Sequence, residues 1–354
     1  MPNKIIEEDI GNSALEVGDF MDKLEGSRIL ITGAAGFVCS YFVDFVECLN
    51  KTRFKEPCKI IGVDNLITGI KKNLLHLMRS KNLKILEKDL SKEMINEDVD
   101  YIIHGASIAS PTFYRKYPIE TMDVNVNGTR NMLELARKKD VKSFLFISTS
   151  EVYGDPPADF IPTKEDFRGF VSCTGPRACY DESKRFGETL CTNYNKVYSV
   201  PVKITRPFNF YGPRLHLNDR RIIPDLLRNA LNNENLKLYS DGKATRSFCY
   251  ISDAVTGHFK VLLSDFNGEV FNVGNGQEET SMKELAEMII DLTNKDLKVE
   301  YKKSSEKAYL KDNPQMRCPD ITKIKTKLGY EPKVSLKRGL LRTINWHKQN
   351  IEVS

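Results

Sequence analysis

The sequence has no Cys-x-x-Cys pair and no nearby histidine pair at zinc-binding spacing, so its eight cysteines (39, 48, 58, 173, 179, 191, 249 and 318) form neither a disulfide framework nor a structural metal site. They read as reduced thiols in or near the core, and no metal is expected. No secretory leader is expected from the first residues either: MPNKIIEEDIGNSALEVGDF carries acidic residues where a signal peptide needs a basic end followed by an apolar stretch. No later apolar run approaches the length that spans a bilayer. The expectation is a cytoplasmic protein with no membrane partner. Nor is there a block of one charge: the net charge of +5 comes from lysines scattered along the chain. No nucleic-acid motif accompanies them, so no nucleic-acid partner is expected. Internal repeats and low-complexity linkers are absent as well.

What is present is a globular composition, 40% apolar and 29% charged over 354 residues, enough for one large α/β unit with a smaller companion. Residues 1–26 read as an acidic, partly helical lead-in. Strand-like apolar runs then recur at Arg28–Thr32, Lys59–Val63, Lys84–Leu86, Tyr101–His104, Phe144–Ser148 and Val202–Thr205, with amphipathic helical stretches between most of them. That alternation predicts an α/β fold, a Rossmann-type doubly wound parallel sheet covered on both faces, over residues 27–211. From about Gly212 the pattern becomes mixed: helical Ile222–Leu231, Asp253–Leu263, Met282–Leu292 and Leu336–Gln349, with a strand at Leu236–Tyr239. Residues 212–354 therefore read mainly as a smaller mixed α/β domain over the C-terminal edge of the sheet, with some segments free to return to it.

The first strand runs into ITGAAGFVCS, placing Gly33 and Gly36 in the turn that opens a helix near Phe37. Such a G-x-x-G turn brings backbone N–H groups close to a pyrophosphate, with the field of the helix start favouring the anion. The third small position is Cys39, which predicts slightly wider helix–strand packing. The second strand ends in IIGVDN, so Asp64 stands where a carboxylate accepts the hydroxyls of an adenosine ribose and repels a 2′-phosphate, favouring NAD over NADP. The longer than usual gap back to Gly33 is taken up by a polar loop around Lys51–Pro57. Asp89 and Leu90 follow the third strand, and HGAS (104–107) ends the fourth with small residues that let a dinucleotide cross the strand ends. His104 itself reads as a packed structural histidine.

The fifth strand ends FLFISTSEVYG, delivering Thr149, Ser150 and Glu151 to the same edge, although such residues also serve as simple caps. In GPRACYDESKR (175–185), Tyr180 and Lys184 are four residues apart, on one face of a helix. An ammonium beside a phenol would lower its pKa from near 10 and make it a usable base. The glycine turn, Asp64, Thr149 and the Tyr–Lys pair stand in the order that hydride chemistry needs.

Those motifs, over nearly everything from Gly26 to Trp346, resemble the extended short-chain dehydrogenase/reductases that act on nucleotide sugars, the NAD-dependent epimerase/dehydratase family. Within that family the chain most resembles the UDP-glucuronate decarboxylases, through ASIASPTFY (106–114), NVNGTRNML (125–133), STSEVYGDP (148–156), GPRACYDESKR (175–185), FNFYGPR (208–214), DGKATRSFCYISD (241–253) and NPQMRCPDITK (313–323). The resemblance implies NAD bound by Gly33, Gly36, Phe37, Val38, Asp64, Asn65, Asp89, Leu90, Ala106 and Lys184. It implies that Tyr180 takes the proton of the sugar 4-hydroxyl while C4 is oxidised, that Thr149 hydrogen-bonds the reacting oxygen, and that Glu151 and Arg317 serve CO2 loss and reprotonation at C5. Ser150, Tyr114, Asn209, Arg221, Tyr239 and Arg246 would hold the nucleotide sugar. A homodimer is the family's usual assembly.

Neighbouring residues separate the reactions that share this first oxidation. A 4-epimerase usually has a small residue at the Glu151 position, whereas one branch of 4,6-dehydratases does carry Thr-Ser-Glu, which leaves dehydration as the alternative. Arg317 in RCPDITK tilts the choice to decarboxylation. An NAD-sensing scaffold without turnover would be expected to lack Thr149, Tyr180 or Lys184, and all three are present. Two departures, FVSCT (170–174) and Arg220 where glycine is usual, are expected near the sugar pocket and open the reading to a different uronic acid or nucleotide.

Overall fold

Apolar runs of four to six residues, buried on both faces, form the parallel strands β1 (Arg28–Thr32), β2 (Lys59–Asp64), β4 (Tyr101–His104), β5 (Ser143–Ile147) and β6 (Val202–Pro207), while the half-buried β3 (Leu83–Glu87) closes one edge. The computed structural model describes residues 3–303 and 314–351. The strand bounds follow the expected ones within one or two residues. The other edge is Val270–Val273, which pairs in parallel with β6, so the sheet has seven strands in the order Val270–Val273, β6, β5, β4, β1, β2, β3. This seventh strand belongs to the segment after residue 212, and the helix Ile251–Leu262, buried along its whole length, also packs on the sheet.

The order reverses between β1 and β4, the place where open parallel sheets bind ligands beyond their strand ends. Helix α1 (Lys4–Val17) precedes the sheet, and α2 (Phe37–Thr52) follows β1. Because α2 runs on to Thr52, it takes up part of the gap that the sequence pattern assigned to a polar loop. The smaller region is built from helix Ile222–Leu231, the pair Leu236–Leu238 with Val299–Tyr301, helix Met282–Thr293, and a three-stranded sheet with Thr245–Ser247 at its centre. Glu279–Ser281 runs antiparallel to that central strand and Met316–Arg317 parallel to it. Ser281 and Glu284 form a capping box that starts the Met282 helix.

The lead-in is a docked helix. Asn3 caps α1 by accepting from the Ile5 N–H at 2.9 Å, and Ile6, Ile10 and Val17 are buried, in contact with α2 and the Ile251 helix. On the same helix Asp9 is 1% exposed and accepts from Tyr250 Oη at 2.7 Å and Arg342 Nε at 2.9 Å. Burial pushes its carboxyl up to about 6, against the pull of those two partners. Removing a partner from a buried ion pair strands the other charge. Arg342→Met should therefore destabilise the fold by about 3 kcal/mol at neutral pH in urea unfolding. The loss should shrink as the pH falls below 6, where folded Asp9 holds its proton.

Candidate active site

A cavity of about 990 Å³ runs along the C-terminal ends of β1, β2, β4 and β5 and under the smaller region. Its first half is the glycine turn. Gly33 has φ of 71°, and a Cβ there would lie 3.0 Å from both Ala106 Cα and the Gly105 carbonyl oxygen. A Cβ on Gly36 would meet the Gly33 carbonyl oxygen at 3.0 Å. A side chain is strained at Gly33 and tight at Gly36, and the two glycines leave a bare backbone cradle in front of Phe37 and Val38, where first-turn N–H groups lack intrahelical acceptors. Asp64 accepts from the Ala35 N–H at 3.0 Å and the Leu66 N–H at 2.8 Å, and burial raises its carboxyl. Asn65 turns back to accept from the Ile67 N–H. Asp89, partly buried, is held below the usual carboxylate range by hydrogen bonds from Ser91 and the Lys92 ammonium. Leu90 and Ala106 complete this wall. A side-chain-free cradle followed by a carboxylate at the end of β2 fits a dinucleotide.

Cys39 departs from the expected small residue, and the compensation comes from another strand. A Cβ on Gly105 would collide with Cys39 Sγ and come within 3.1 Å of Ile147 Cδ1. The thiol occupies space that the HGAS glycine leaves open. His104 is buried, bonded to Thr32 Oγ1 at 2.8 Å and Thr129 Oγ1 at 3.0 Å, and pushed down to about 3 by burial. It is the neutral structural histidine expected. Gly105→Ala should weaken dinucleotide binding, measured by calorimetry, at least about fivefold, since overpacking costs roughly 1–3 kcal/mol. A second change, Cys39→Gly, should recover part of that loss.

In the second half, Thr149 caps the turn Ser150–Tyr153 by accepting from the Glu151 N–H, and its side chain hydrogen-bonds the Tyr180 phenol. Tyr180 stands in the first turn of helix Ala178–Tyr198. The Tyr114 ring stacks on it with centroids 5.0 Å apart and planes at 6°. Burial pushes the Tyr180 phenol up to about 12, with Glu151 and Asp181 raising it further and Thr149 and Arg221 opposing. The expectation that Lys184 lowers this pKa is therefore corrected: Lys184 Nζ donates to the Ile147 carbonyl at 2.8 Å and lies over the Phe146 ring, and burial outweighs any charge near the phenol. Gly187 has no side chain to hold the helix off Phe146, since a Cβ would lie 2.6 Å from Phe146 Cζ.

Glu151 is the centre of the polar cluster. Arg317, from the Met316–Arg317 strand, donates from Nη1 to Oε1 and from Nη2 to Oε2 at 2.8 Å, while Arg177 Nη2 donates to the same Oε2. Against full burial, these two guanidiniums hold the carboxyl far below its usual range. Arg177 was missed by the sequence reading although it lies in the quoted GPRACYDESKR. The available signal was its place at the cap of the helix that carries Tyr180, three residues upstream. Arg246 pairs with Arg317 in register on the neighbouring strand, and burial, then the Arg317 charge, pushes its guanidinium down to about 9. It donates to the Pro314 carbonyl at 2.6 Å and the Thr245 carbonyl at 2.7 Å.

The remaining expected substrate residues all line the cavity. Asn209 has φ of 45° and donates Nδ2 to the Ser247 carbonyl; Arg221 pairs with Asp219; Ser150 and Tyr114 are buried; Tyr239 is half-buried. Of the two departures, only Arg220 reaches the wall, with φ of 69° that marks a glycine-favouring position. The residues 170–174 lie outside the wall, with Ser172, Cys173 and Thr174 exposed, so the expectation that they border the pocket is corrected.

Lys184 carries a stability penalty. Burial pushes its ammonium down to about 8 from 10.5, so at pH 7 the folded state holds a charge that is easier to carry unfolded. Lys184→Met should abolish turnover yet stabilise the dinucleotide-free protein by about 2 kcal/mol at pH 7 after the lost hydrogen bond is allowed for. That gain should disappear between pH 8 and 10.5, as the lysine discharges in both states, and thermal unfolding across pH will test it.

These features define a nucleotide-sugar-type dehydrogenase fold, and the chain belongs to the NAD dependent epimerase/dehydratase family, whose profile matches residues 29–274. It is 40% identical to UDP-glucuronic acid decarboxylase 2 of Arabidopsis thaliana over 93% of this chain and 70% of that one. It is 39% identical to UDP-glucuronic acid decarboxylase 1 of Xenopus tropicalis over 94% of this chain and 75% of that one. Among solved structures, the dTDP-glucose 4,6-dehydratase of Streptomyces venezuelae with NAD bound superposes with a TM-score of 0.80 at 28% identity, covering 92% of this chain and 98% of that one. The cofactor is NAD.

Proposed function

We propose that the protein decarboxylates a nucleotide-linked uronic acid, UDP-glucuronate in the first instance, to the UDP-4-keto-pentose or UDP-xylose. The single observation that carries this reading is Glu151 clamped between Arg177 and Arg317 beside the Tyr180 phenol, in a chain about 40% identical to UDP-glucuronic acid decarboxylases. NAD, when bound, supplies the oxidising power by accepting a hydride from sugar C4 and can return it at the end.

Tyr180 takes the proton of the 4-hydroxyl, with Thr149 bonded to it and positioned to share the same oxygen. The phenol needs favourable charge to act near neutral pH, and Arg221 is the cation of this chain that the reading puts to that use. The 4-ketone stands β to the C6 carboxylate. The C5–C6 bond then breaks, its electron pair moves to the ketone oxygen as an enolate, CO2 leaves, and the oxygen contacts that served the alcohol stabilise the enolate. Arg317 and Glu151 border C5 and C6 in this reading, and a proton returned to C5 gives the 4-keto-pentose, which only reduction at C4 converts to the pentose. Arg221, Arg246 and Asn209 hold the diphosphate and nucleotide, a task suited to forked guanidinium donors. Gly33, Gly36, Phe37, Val38, Asp64, Asn65, Asp89, Leu90 and Ala106 hold the dinucleotide.

The reading extends to a cytoplasmic homodimer. Eight unpaired cysteines suit a reducing compartment. Ile119 and Met122 are exposed on a helix that packs against the Tyr180 helix, which itself exposes Phe186 and Val197, and this apolar surface is what a second copy would cover. The Thr-Ser-Glu run keeps 4,6-dehydration of a neutral nucleotide hexose as the second reading.

Incubation with NAD and UDP-glucuronate should release CO2 stoichiometrically with product, and Tyr180→Phe should slow it about 10²–10⁴-fold while dinucleotide binding persists. Turnover of a neutral UDP- or dTDP-hexose without CO2 would replace the reading by dehydration.

A further inference from the structure

Two guanidiniums share one buried carboxylate in the cavity. Arg177 and Arg317, each with 7% side-chain exposure, both pair with Glu151. Arg246 adds a third cation alongside, in register with Arg317. Asp181 is the other carboxylate of the cluster, but it lies behind Arg177, with Oδ2 3.8 Å from Arg177 Nε, and does not line the cavity. The wall therefore faces its ligand with an excess of positive charge around Glu151, which a second carboxylate from the ligand would complete.

The two arginines are held differently. Arg177 caps the helix Ala178–Tyr198, and its carbonyl accepts from the N–H groups of Tyr180 and Asp181 at 3.0 Å each. Its guanidinium sits 6.0 Å from the Tyr114 ring centroid with Asp181 behind it. The backbone that fixes Arg177 is thus the backbone that fixes Tyr180. Arg317 comes from across the cavity, on the two-residue strand Met316–Arg317 of the smaller region, and both of its Nη donors go to Glu151.

We propose that Arg177 is the standing counter-ion of Glu151, and that Arg317 is the exchangeable one, transferring to the sugar carboxylate when a uronic acid binds. The inference rests on the uronic-acid reading above and deepens it. A buried carboxylate with a single cation cannot release that cation without stranding its own charge. With Arg177 in place, Glu151 stays ionised and oriented while Arg317 makes a forked pair with the substrate. Arg177 acts through Glu151 and Arg317, so it is a positioning residue, and its signature is selectivity for the carboxylate rather than affinity for the nucleotide.

The test is calorimetric binding to the NAD-loaded protein of two probes, UDP-glucuronate and UDP-glucose, which differ at C6. In Arg177→Met, Glu151 competes for Arg317, and the ratio of the two affinities should fall about tenfold, the value of one charge-assisted hydrogen bond. UDP-glucose affinity should stay within about twofold, a pattern that general loosening of the site would not give. In a Glu151→Gln background Arg317 is uncontested, so adding Arg177→Met should leave the ratio unchanged. Arg177→Lys, which keeps the charge without the fork, should fall between, and it carries the test should the methionine variant not fold. An unchanged ratio in Arg177→Met or Arg177→Lys overturns the proposal, as does an equal fall for both probes. CO2 release by the unmodified protein reads the decarboxylase assignment separately: release with an unchanged ratio sinks only the role of Arg177, and no release sinks the assignment itself.

Discussion

The buried pairing of Glu151 with two arginines is the contact on which the working arrangement depends. It joins three pieces of chain that are far apart in sequence: the turn after β5, the cap of the helix carrying Tyr180, and a short strand of the smaller region. A carboxylate at this depth is tolerable only when its charge is met, and each guanidinium is in turn tolerable only because the carboxylate is there. Desolvation thus enforces the geometry that catalysis needs. The phenol shares that environment: stacked on Tyr114 and bonded to Thr149, Tyr180 is kept protonated by the same dryness that strengthens every charge around it.

Much of the frame was legible in the chain itself. Runs such as Arg28–Thr32 and Tyr101–His104 came out at their expected bounds because a strand buried on both faces has no alternative to a continuous apolar run. Glycine at 33 was readable because its positive φ and the approach of Ala106 forbid anything larger. The edge strand Val270–Val273 was not, since a strand of four residues carries no period long enough to identify. Nor could local pattern reveal that Cys39 is accommodated by Gly105, a relation between two strands' ends that exists only in three dimensions.

The site shows the same division. Tyr180, Lys184 and Thr149 were named from spacing and resemblance, and all three line the cavity. The charge balance was beyond the reach of sequence: a helix spacing of four predicts neighbours, but not that the ammonium of Lys184 would turn to the Ile147 carbonyl. Arg177 escaped notice for a related reason. Its partner is 26 positions away, and an arginine at a helix start looks like ordinary surface until the fold buries it. Arg220 is the opposite case, an oddity visible in the sequence whose left-handed backbone confirms that the position favours glycine.

The edge strand Val270–Val273 has a bearing on how the molecule is made. Its hydrogen bonds to β6 cannot form until the ribosome has added more than sixty residues after that strand, including the Ile222 helix and the first strands of the smaller region. A nascent chain halted near residue 211 would present β6 as a bare apolar border, prone to pairing with strangers. The two regions are thus interleaved in time as well as in space, and neither can be expected to mature as a free-standing fragment.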